Sequence, residues 1–179
     1  LLKLLSCSVK EIIFGQSLDV SFNHFDINDT QLRKIAIEKT APLIAMPIMG
    51  MFQCKELTED ECSALKEISN ELGLAYQYLN DIENIVGCEQ EVSSDLLKGR
   101  PNLMAIKILK NLSNAEKKII INEPTKLGNL ISRKDFEESR DEISKILINA
   151  MSSIHRIPVI IQPVIKSLKD EINKRLQLL

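Results

Sequence analysis

The chain has 179 residues, 44% of them hydrophobic and 27% charged, which is the length and composition of about one globular domain. Its formal net charge of −2 gives no electrostatic reason to expect a nucleic-acid partner. The 4 cysteines form no C-x-x-C pair, so the sequence favours a reduced, cytoplasmic protein over a zinc or disulfide framework. The sequence shows no signal-peptide pattern and no unbroken apolar run of about 18 residues.

Apolar residues at helical spacing run through the chain and predict an all-α fold with one domain over residues 1–179. The predicted helices are Leu1–Phe25, Thr30–Phe52, Thr58–Val86, Asp135–Ile154 and Pro158–Leu179, with a polar loop at 87–102. Capping boxes mark helix starts at Thr58 and Ser113, and a kink is expected at Pro42 and Pro47. Because Leu1 already lies within a helical pattern, we expect the chain to be a fragment, or a chain whose first part is missing.

The third predicted helix carries a polar stripe formed by Gln77, Asn80, Asp81 and Asn84. Their spacing of i, i+3, i+4 and i+7 places all of them on one face of the helix. Amide and carboxylate oxygens are ligands that suit a hard cation such as magnesium. From the spacing alone, a solvated helix face explains the stripe equally well.

Further polar residues recur in three pairs, namely Gln16 with Asp19, Lys39 with Thr40, and Lys98 with Arg100. Lys39 lies inside an otherwise apolar helix, so it either extends its amine to the surface or faces a polar cavity. Lys98 and Arg100 lie in the loop after the third helix, where they could bind phosphate. Taken singly, each pair is also explained as ordinary charged surface.

The order of these motifs gives the sequence a family resemblance. The motifs read Gly15-Gln16-x-x-Asp19, Lys39-Thr40-Ala41, Tyr76-Gln77-x-x-Asn80-Asp81-x-x-Asn84, and Asp95-Leu96 followed by Gly99-Arg100-x-Asn102-Leu103. In this order and at these intervals, over roughly residues 1–110, the chain resembles the polyprenyl synthetase family, the trans-isoprenyl diphosphate synthases. The resemblance implies an all-α, isoprenoid synthase-type helical bundle, of which this chain would be the C-terminal portion.

The resemblance also implies an activity, a magnesium-dependent transfer from an allylic diphosphate to isopentenyl diphosphate that yields a polyprenyl diphosphate. In that family two aspartate-rich motifs hold magnesium ions that bind the allylic diphosphate. By position, the implied metal ligands are Asn80, Asp81 and Asn84. The implied catalytic residues are Lys39, Thr40, Gln77 and Asp81, and the implied substrate-binding residues are Lys39, Gln77, Lys98 and Arg100.

Three departures from the family pattern matter. Asn80 and Asn84 replace aspartates, and an amide is a weaker magnesium ligand than a carboxylate. Arg100 replaces a lysine, and Asn102 replaces the usual threonine. Nothing in the sequence matches the first motif, D-D-x-x-D, so we expect a homodimer or a heteromer with a chain that carries it. We also expect Asp81→Ala to abolish transfer with little loss of fold.

Four other functions remain open at this stage. A prenyltransferase that modifies a peptide pheromone can carry a variant second motif beginning Asn-Asp. A non-catalytic regulatory subunit of a heteromeric synthase would tolerate weakened metal ligands, although it has no need of Lys39 or Gln77. A terpene cyclase is disfavoured because Glu89 lies one residue too late for its metal motif. A helical interaction domain without a ligand would not require the ordered motifs.

Overall fold

The computed structural model describes residues 2–52, 57–86 and 97–179. Its helices are α1 (Leu2–Ser21), α2 (Asp29–Phe52), α3 (Glu59–Val86), α4 (Leu103–Asn111), α5 (Asn114–Asn122), α6 (Thr125–Gly128), α7 (Arg133–Ser152) and α8 (Gln162–Gln177), with a 3-10 turn at Ile154–Arg156. The described ranges contain no strand, which confirms the all-α prediction.

Helix α3 lies at the centre of the bundle. It packs against α2 on one side and against α7 and α8 on the other, while α1 packs on the far side of α2. The side chains of Leu65, Leu72, Leu74, Leu79 and Ile82 on α3 are fully buried, so the helix has apolar contacts nearly all round. A smaller apolar cluster joins α4, α5 and α6. The candidate polar stripe therefore lies on the central helix of the bundle.

The helix starts follow side-chain capping. The two predicted capping boxes are confirmed, since Thr58 and Ser113 each exchange hydrogen bonds with the glutamate three residues later. A third box at Ser132 and Asp135 starts α7, two residues before the predicted start at Asp135. An aspartate in the third position, where glutamate or glutamine is usual, explains why the pattern did not reveal it.

Two predicted helix boundaries were wrong. The first helix ends at Ser21 rather than Phe25, because the Asn23 side chain accepts a hydrogen bond from the Phe25 N–H and closes a turn. The last helix begins at Gln162 rather than Pro158, which instead starts a turn through its carbonyl. Pro163, not Pro158, lies in the first turn of α8, where its missing N–H leaves no gap in the helix.

Helix α2 continues through Pro42 and Pro47 without interruption from Asp29 to Phe52. By length and composition alone it could cross a membrane, with a mean hydropathy of 1.3, and it is the one such helix in the described part of the chain. A core helix passes the same test, and α2 is packed between α1 and α3. Much of the predicted 87–102 loop lies outside the described residues.

Candidate functional site

Two glycines bring three helices together at the Lys39-Thr40-Ala41 segment. A Cβ at Gly15 of α1 would lie 2.5 Å from the Lys39 backbone nitrogen, and a Cβ at Gly73 of α3 would lie 2.7 Å from that of Ala41. Any larger residue at either position would push its helix away from α2. The glycines therefore set the distances between the polar side chains that α1, α2 and α3 contribute.

Lys39 is held by an ion pair with α1. Its Nζ lies 3.1 Å from Asp19 Oδ2, and the two side chains are 26% and 7% exposed. A buried carboxylate needs a partner, and Lys39 provides it. Lys39 therefore faces a polar partner rather than extending freely to the surface, while its residual exposure leaves the amine accessible. Gln16, the other polar residue singled out on this helix, is exposed.

A chain of hydrogen bonds joins α2, α3 and the start of α4. The Thr40 hydroxyl donates to Gln77 Oε1 at 3.3 Å, and Gln77 Nε2 donates to Asp81 Oδ1 at 3.0 Å. Asp81 Oδ2 accepts from the backbone N–H of Leu103 at 2.9 Å. Of the residues predicted from sequence, Thr40, Gln77 and Asp81 thus form one hydrogen-bonded series, and Lys39 is close enough for its charge to act on Asp81.

Asp81 is buried, with 4% of its surface exposed. Burial raises the pKa of its carboxyl to about 7, against the lowering effects of the hydrogen bonds from Leu103 and Gln77 and of the Lys39 charge. Its loss would leave the Leu103 N–H without an acceptor inside the protein. Because Asp81 connects α3 to α4, this contact argues against the expectation that Asp81→Ala leaves the fold almost intact.

The two asparagines of the stripe have different surroundings. Asn80 Oδ1 accepts a hydrogen bond from Arg175 Nη2 of α8 at 3.0 Å. Arg175 also pairs with Glu83, and its guanidinium lies 5.1 Å from the centre of the Tyr76 ring. Asn84 is exposed. The sequence analysis missed Arg175 and Glu83, since α8 carries no motif and neither residue lies in the stripe.

The basic loop is anchored to the end of α1. Gly99 has a φ of +69°, and the backbone N–H of His24 donates to its carbonyl at 2.8 Å. The His24 ring nitrogen Nδ1 lies 3.2 Å from the Arg100 carbonyl, which makes Nδ1 the protonated nitrogen. Lys98 is exposed and Arg100 is half-buried. Asp95 and Leu96, which belong to the same motif, lie outside the described residues.

Asn102 forms the N-cap of α4. Its Oδ1 accepts from the backbone N–H groups of Met104 and Ala105 at 2.9 and 3.2 Å, and its Nδ2 donates to the Asp81 carbonyl at 3.4 Å. Asparagine and threonine are both good N-cap residues. The departure from threonine at this position is therefore compatible with the same local structure.

The residues present do not make a complete magnesium site. In the described ranges, no three His, Cys, Asp or Glu side chains lie close enough together to hold a metal ion. The stripe offers one carboxylate, Asp81, whose two oxygens already accept hydrogen bonds, and the three amides of Gln77, Asn80 and Asn84. Magnesium prefers carboxylate oxygens in octahedral geometry, which this set of side chains alone does not supply.

The fold is that of the isoprenyl diphosphate synthases. The structure resembles a decaprenyl diphosphate synthase from Rhodobacter capsulatus with a TM-score of 0.81 and 16% identity, covering 98% of this chain and 58% of that one. It resembles a geranylgeranyl pyrophosphate synthase from Lactobacillus brevis with a TM-score of 0.80 and 18% identity, covering 95% of this chain and 57% of that one. These similarities define the fold.

The chain belongs to the polyprenyl synthetase family, whose sequence profile matches residues 1–144 and so extends beyond the motifs into α7. A geranylgeranyl diphosphate synthase from Saccharolobus solfataricus is 30% identical over 141 residues, 76% of this chain and 42% of the relative. A short chain isoprenyl diphosphate synthase from Methanocaldococcus jannaschii is 27% identical over 124 residues, which are 67% of this chain and 38% of the relative. The chain thus spans less than half the length of these relatives.

Proposed function

We propose that this chain forms part of a prenyltransferase of isoprenoid biosynthesis, which joins an allylic diphosphate to isopentenyl diphosphate and yields a polyprenyl diphosphate. The observation that carries the proposal is the hydrogen-bonded series Thr40, Gln77 and Asp81 beside Lys39, which is itself paired with Asp19, in a chain of this family. The relatives named above are diphosphate synthases of this kind.

The proposed roles follow from the chemistry of each side chain. The Lys39 amine, held by Asp19, would bind the allylic diphosphate as a positive point charge. The Thr40 hydroxyl and the Gln77 amide oxygen would lie beside the allylic cation that develops as the diphosphate leaves. Lys98 and Arg100 would add positive charge for the diphosphate from the loop before α4.

We propose Mg²⁺ as the cofactor, where it would neutralise charge on the departing diphosphate. Asn80, Asp81 and Asn84 would lie near the ion and would contact it through water or through the diphosphate. Because the polar stripe supplies one carboxylate, most of the ligands would come from the diphosphate, from water and from a first aspartate-rich motif carried outside this sequence. A heteromer with a chain that carries that motif would supply it.

The described cysteines support the proposed cytoplasmic location. Cys7 and Cys62 are free thiols, as expected of a protein in a reducing compartment. The proposed substrates are diphosphates rather than nucleic acids, in agreement with the small net charge.

The test is a transfer assay with geranyl diphosphate, labelled isopentenyl diphosphate and Mg²⁺. The chain would be assayed alone and together with a partner chain that carries the first aspartate-rich motif. We expect labelled product in the second mixture, and a large loss of it in Lys39→Met. Lys34→Met, which removes an exposed charge from the same helix, is the matched control.

Two outcomes would overturn the proposal in different ways. Binding of the allylic diphosphate without transfer in either mixture would favour a non-catalytic regulatory subunit. Label transferred from geranyl diphosphate to an added acceptor peptide, and not to isopentenyl diphosphate, would make the protein a peptide prenyltransferase.

A further inference from the structure

Arg175 of α8 reaches across to the polar stripe of α3. Its Nη2 donates to Asn80 Oδ1 at 3.0 Å and also to Glu83, while its Nε donates to Glu83 Oε1 at 3.0 Å. The guanidinium lies 5.1 Å from the centre of the Tyr76 ring. Three side chains on about two turns of α3 therefore hold Arg175 in one position.

This contact determines which way the Asn80 amide faces. A guanidinium has only hydrogen-bond donors, so the Asn80 atom that faces Arg175 must be the amide oxygen. The Asn80 NH₂ group then points away from Arg175. Within the described part of the chain, no residue accepts a hydrogen bond from this group. Asn80 therefore offers its surroundings two N–H donors.

The same contact disfavours a metal ion at Asn80. The amide oxygen already accepts from a positively charged group, and a second cation at that oxygen would be repelled by the first. A diphosphate has the opposite character, since its oxygens are negative and accept hydrogen bonds. An amide donor with a guanidinium behind it matches a diphosphate better than it matches a cation.

We propose that Asn80 is a hydrogen-bond donor to the diphosphate rather than a magnesium ligand, and that Arg175 is the positioning residue that orients it. The identity of the ligand rests on the proposed function. Glu83 contributes by holding the guanidinium in place through its own two hydrogen bonds. The family pattern has an aspartate at this position, so the change to asparagine replaces a metal ligand with a contact of the opposite polarity.

The test is calorimetric binding of inorganic pyrophosphate to the whole chain in excess EDTA. Asn80→Asp keeps the shape of the side chain but removes both donors, and should weaken binding by about tenfold or more. Mn²⁺ affinity, followed by electron paramagnetic resonance, should stay unchanged because the new carboxylate pairs with Arg175. Unchanged pyrophosphate binding, or tighter Mn²⁺ binding, in Asn80→Asp would overturn the assignment.

Variants of Arg175 test the positioning role. Arg175→Met should weaken pyrophosphate binding about as much as Asn80→Ala does. The double variant should weaken binding no more than either single variant, because each change removes the same oriented amide. Arg175→Lys keeps the charge without the planar fork and should recover part of the affinity. Lys174→Met removes an exposed charge from the same helix and should leave affinity unchanged. A lower melting temperature in Arg175→Met with unchanged pyrophosphate affinity would overturn the positioning role.

The inference and the proposed function fail separately. A wild-type chain that does not bind pyrophosphate in EDTA would overturn the inference and leave the transfer assay to judge the function. The opposite result is also possible: the wild type binds pyrophosphate, Asn80→Asp does not, and no mixture gives a prenyl product. That result would support the inference and contradict the proposed function.

Discussion

Gly15 of α1 lies against the backbone of Lys39 of α2, so closely that a Cβ on the glycine would be 2.5 Å from the lysine nitrogen. Gly15→Ala should therefore force α1 and α2 apart and lower the free energy of unfolding by about 1–3 kcal/mol, as overpacking does elsewhere. The same shift should weaken binding of pyrophosphate through Lys39. Urea unfolding and calorimetry measure the two effects, and Ser17→Ala, an exposed change on the same helix, is the control. Unaltered stability in Gly15→Ala would contradict the close contact.

The pair of Lys39 with Asp19 has a stability role that can be separated from binding. Lys39→Met leaves the Asp19 carboxylate buried without its partner, and should lower the free energy of unfolding by on the order of 2 kcal/mol, between the values for exposed and buried pairs. Adding Asp19→Asn should restore much of that stability, because a neutral amide is easier to bury. Affinity for pyrophosphate should remain low in both variants. Recovery of affinity in the double variant would show that Lys39 acts only on the fold.

Asp81 should behave as a structural residue as well as a site residue. Asp81→Ala removes the acceptor for the Leu103 N–H at the start of α4, and should lower the free energy of unfolding by about 2–3 kcal/mol. Asp81→Asn keeps one acceptor oxygen and should lower the free energy of unfolding by about half as much. Chemical denaturation compares the two with Lys66→Ala, an exposed change on the same helix. A fully stable Asp81→Ala would mean that Leu103 finds another acceptor.

His24 should make stability depend on pH. Burial lowers the pKa of its ring below the ordinary 6.5, only partly opposed by the hydrogen bond to Arg100 and the charge of Asp26. Below about pH 6.5 the unfolded chain then binds more protons than the folded chain, so the contribution of His24 is present above that pH and is lost as the pH falls through the folded pKa. Urea midpoints between about pH 7.5 and about pH 5 should fall less in His24→Gln than in the wild type. His155→Gln, at an exposed position, should match the wild type.

The helices could be predicted because their signals are local. Apolar spacing and the capping boxes at Thr58 and Ser113 act over a few residues, and both boxes are present in the structure. The start of α8 was predicted incorrectly because two prolines lie near it. The Pro158 carbonyl accepts a hydrogen bond from the Ile161 N–H and closes a turn before the helix, so that Pro163 is the proline in the first turn of α8. That turn depends on packing that the local pattern does not contain.

The site could be predicted only as a set of residues, not as an arrangement. The spacing placed Asn80 and Asp81 in one stripe, and they do share a helix. Their partners come from far along the chain, since Leu103 is 22 residues from Asp81 and Arg175 is 95 residues from Asn80. These contacts turn one residue towards α4 and the other towards α8. No motif marks Arg175, so its contact with Asn80 emerges only from the packed fold.

The close approach of the helices at Gly15 and Gly73 separates the geometry of this region from its chemistry. The distances among α1, α2 and α3 depend on two positions where no side chain can grow, and neither lies in the polar stripe. Exchange of carboxylate for amide at 80 and 84 therefore leaves the framework where it is. A protein built in this way can lose or change a metal site through single substitutions and still keep the same spacing of its helices, so that the same framework suits both a catalyst and a subunit that only binds.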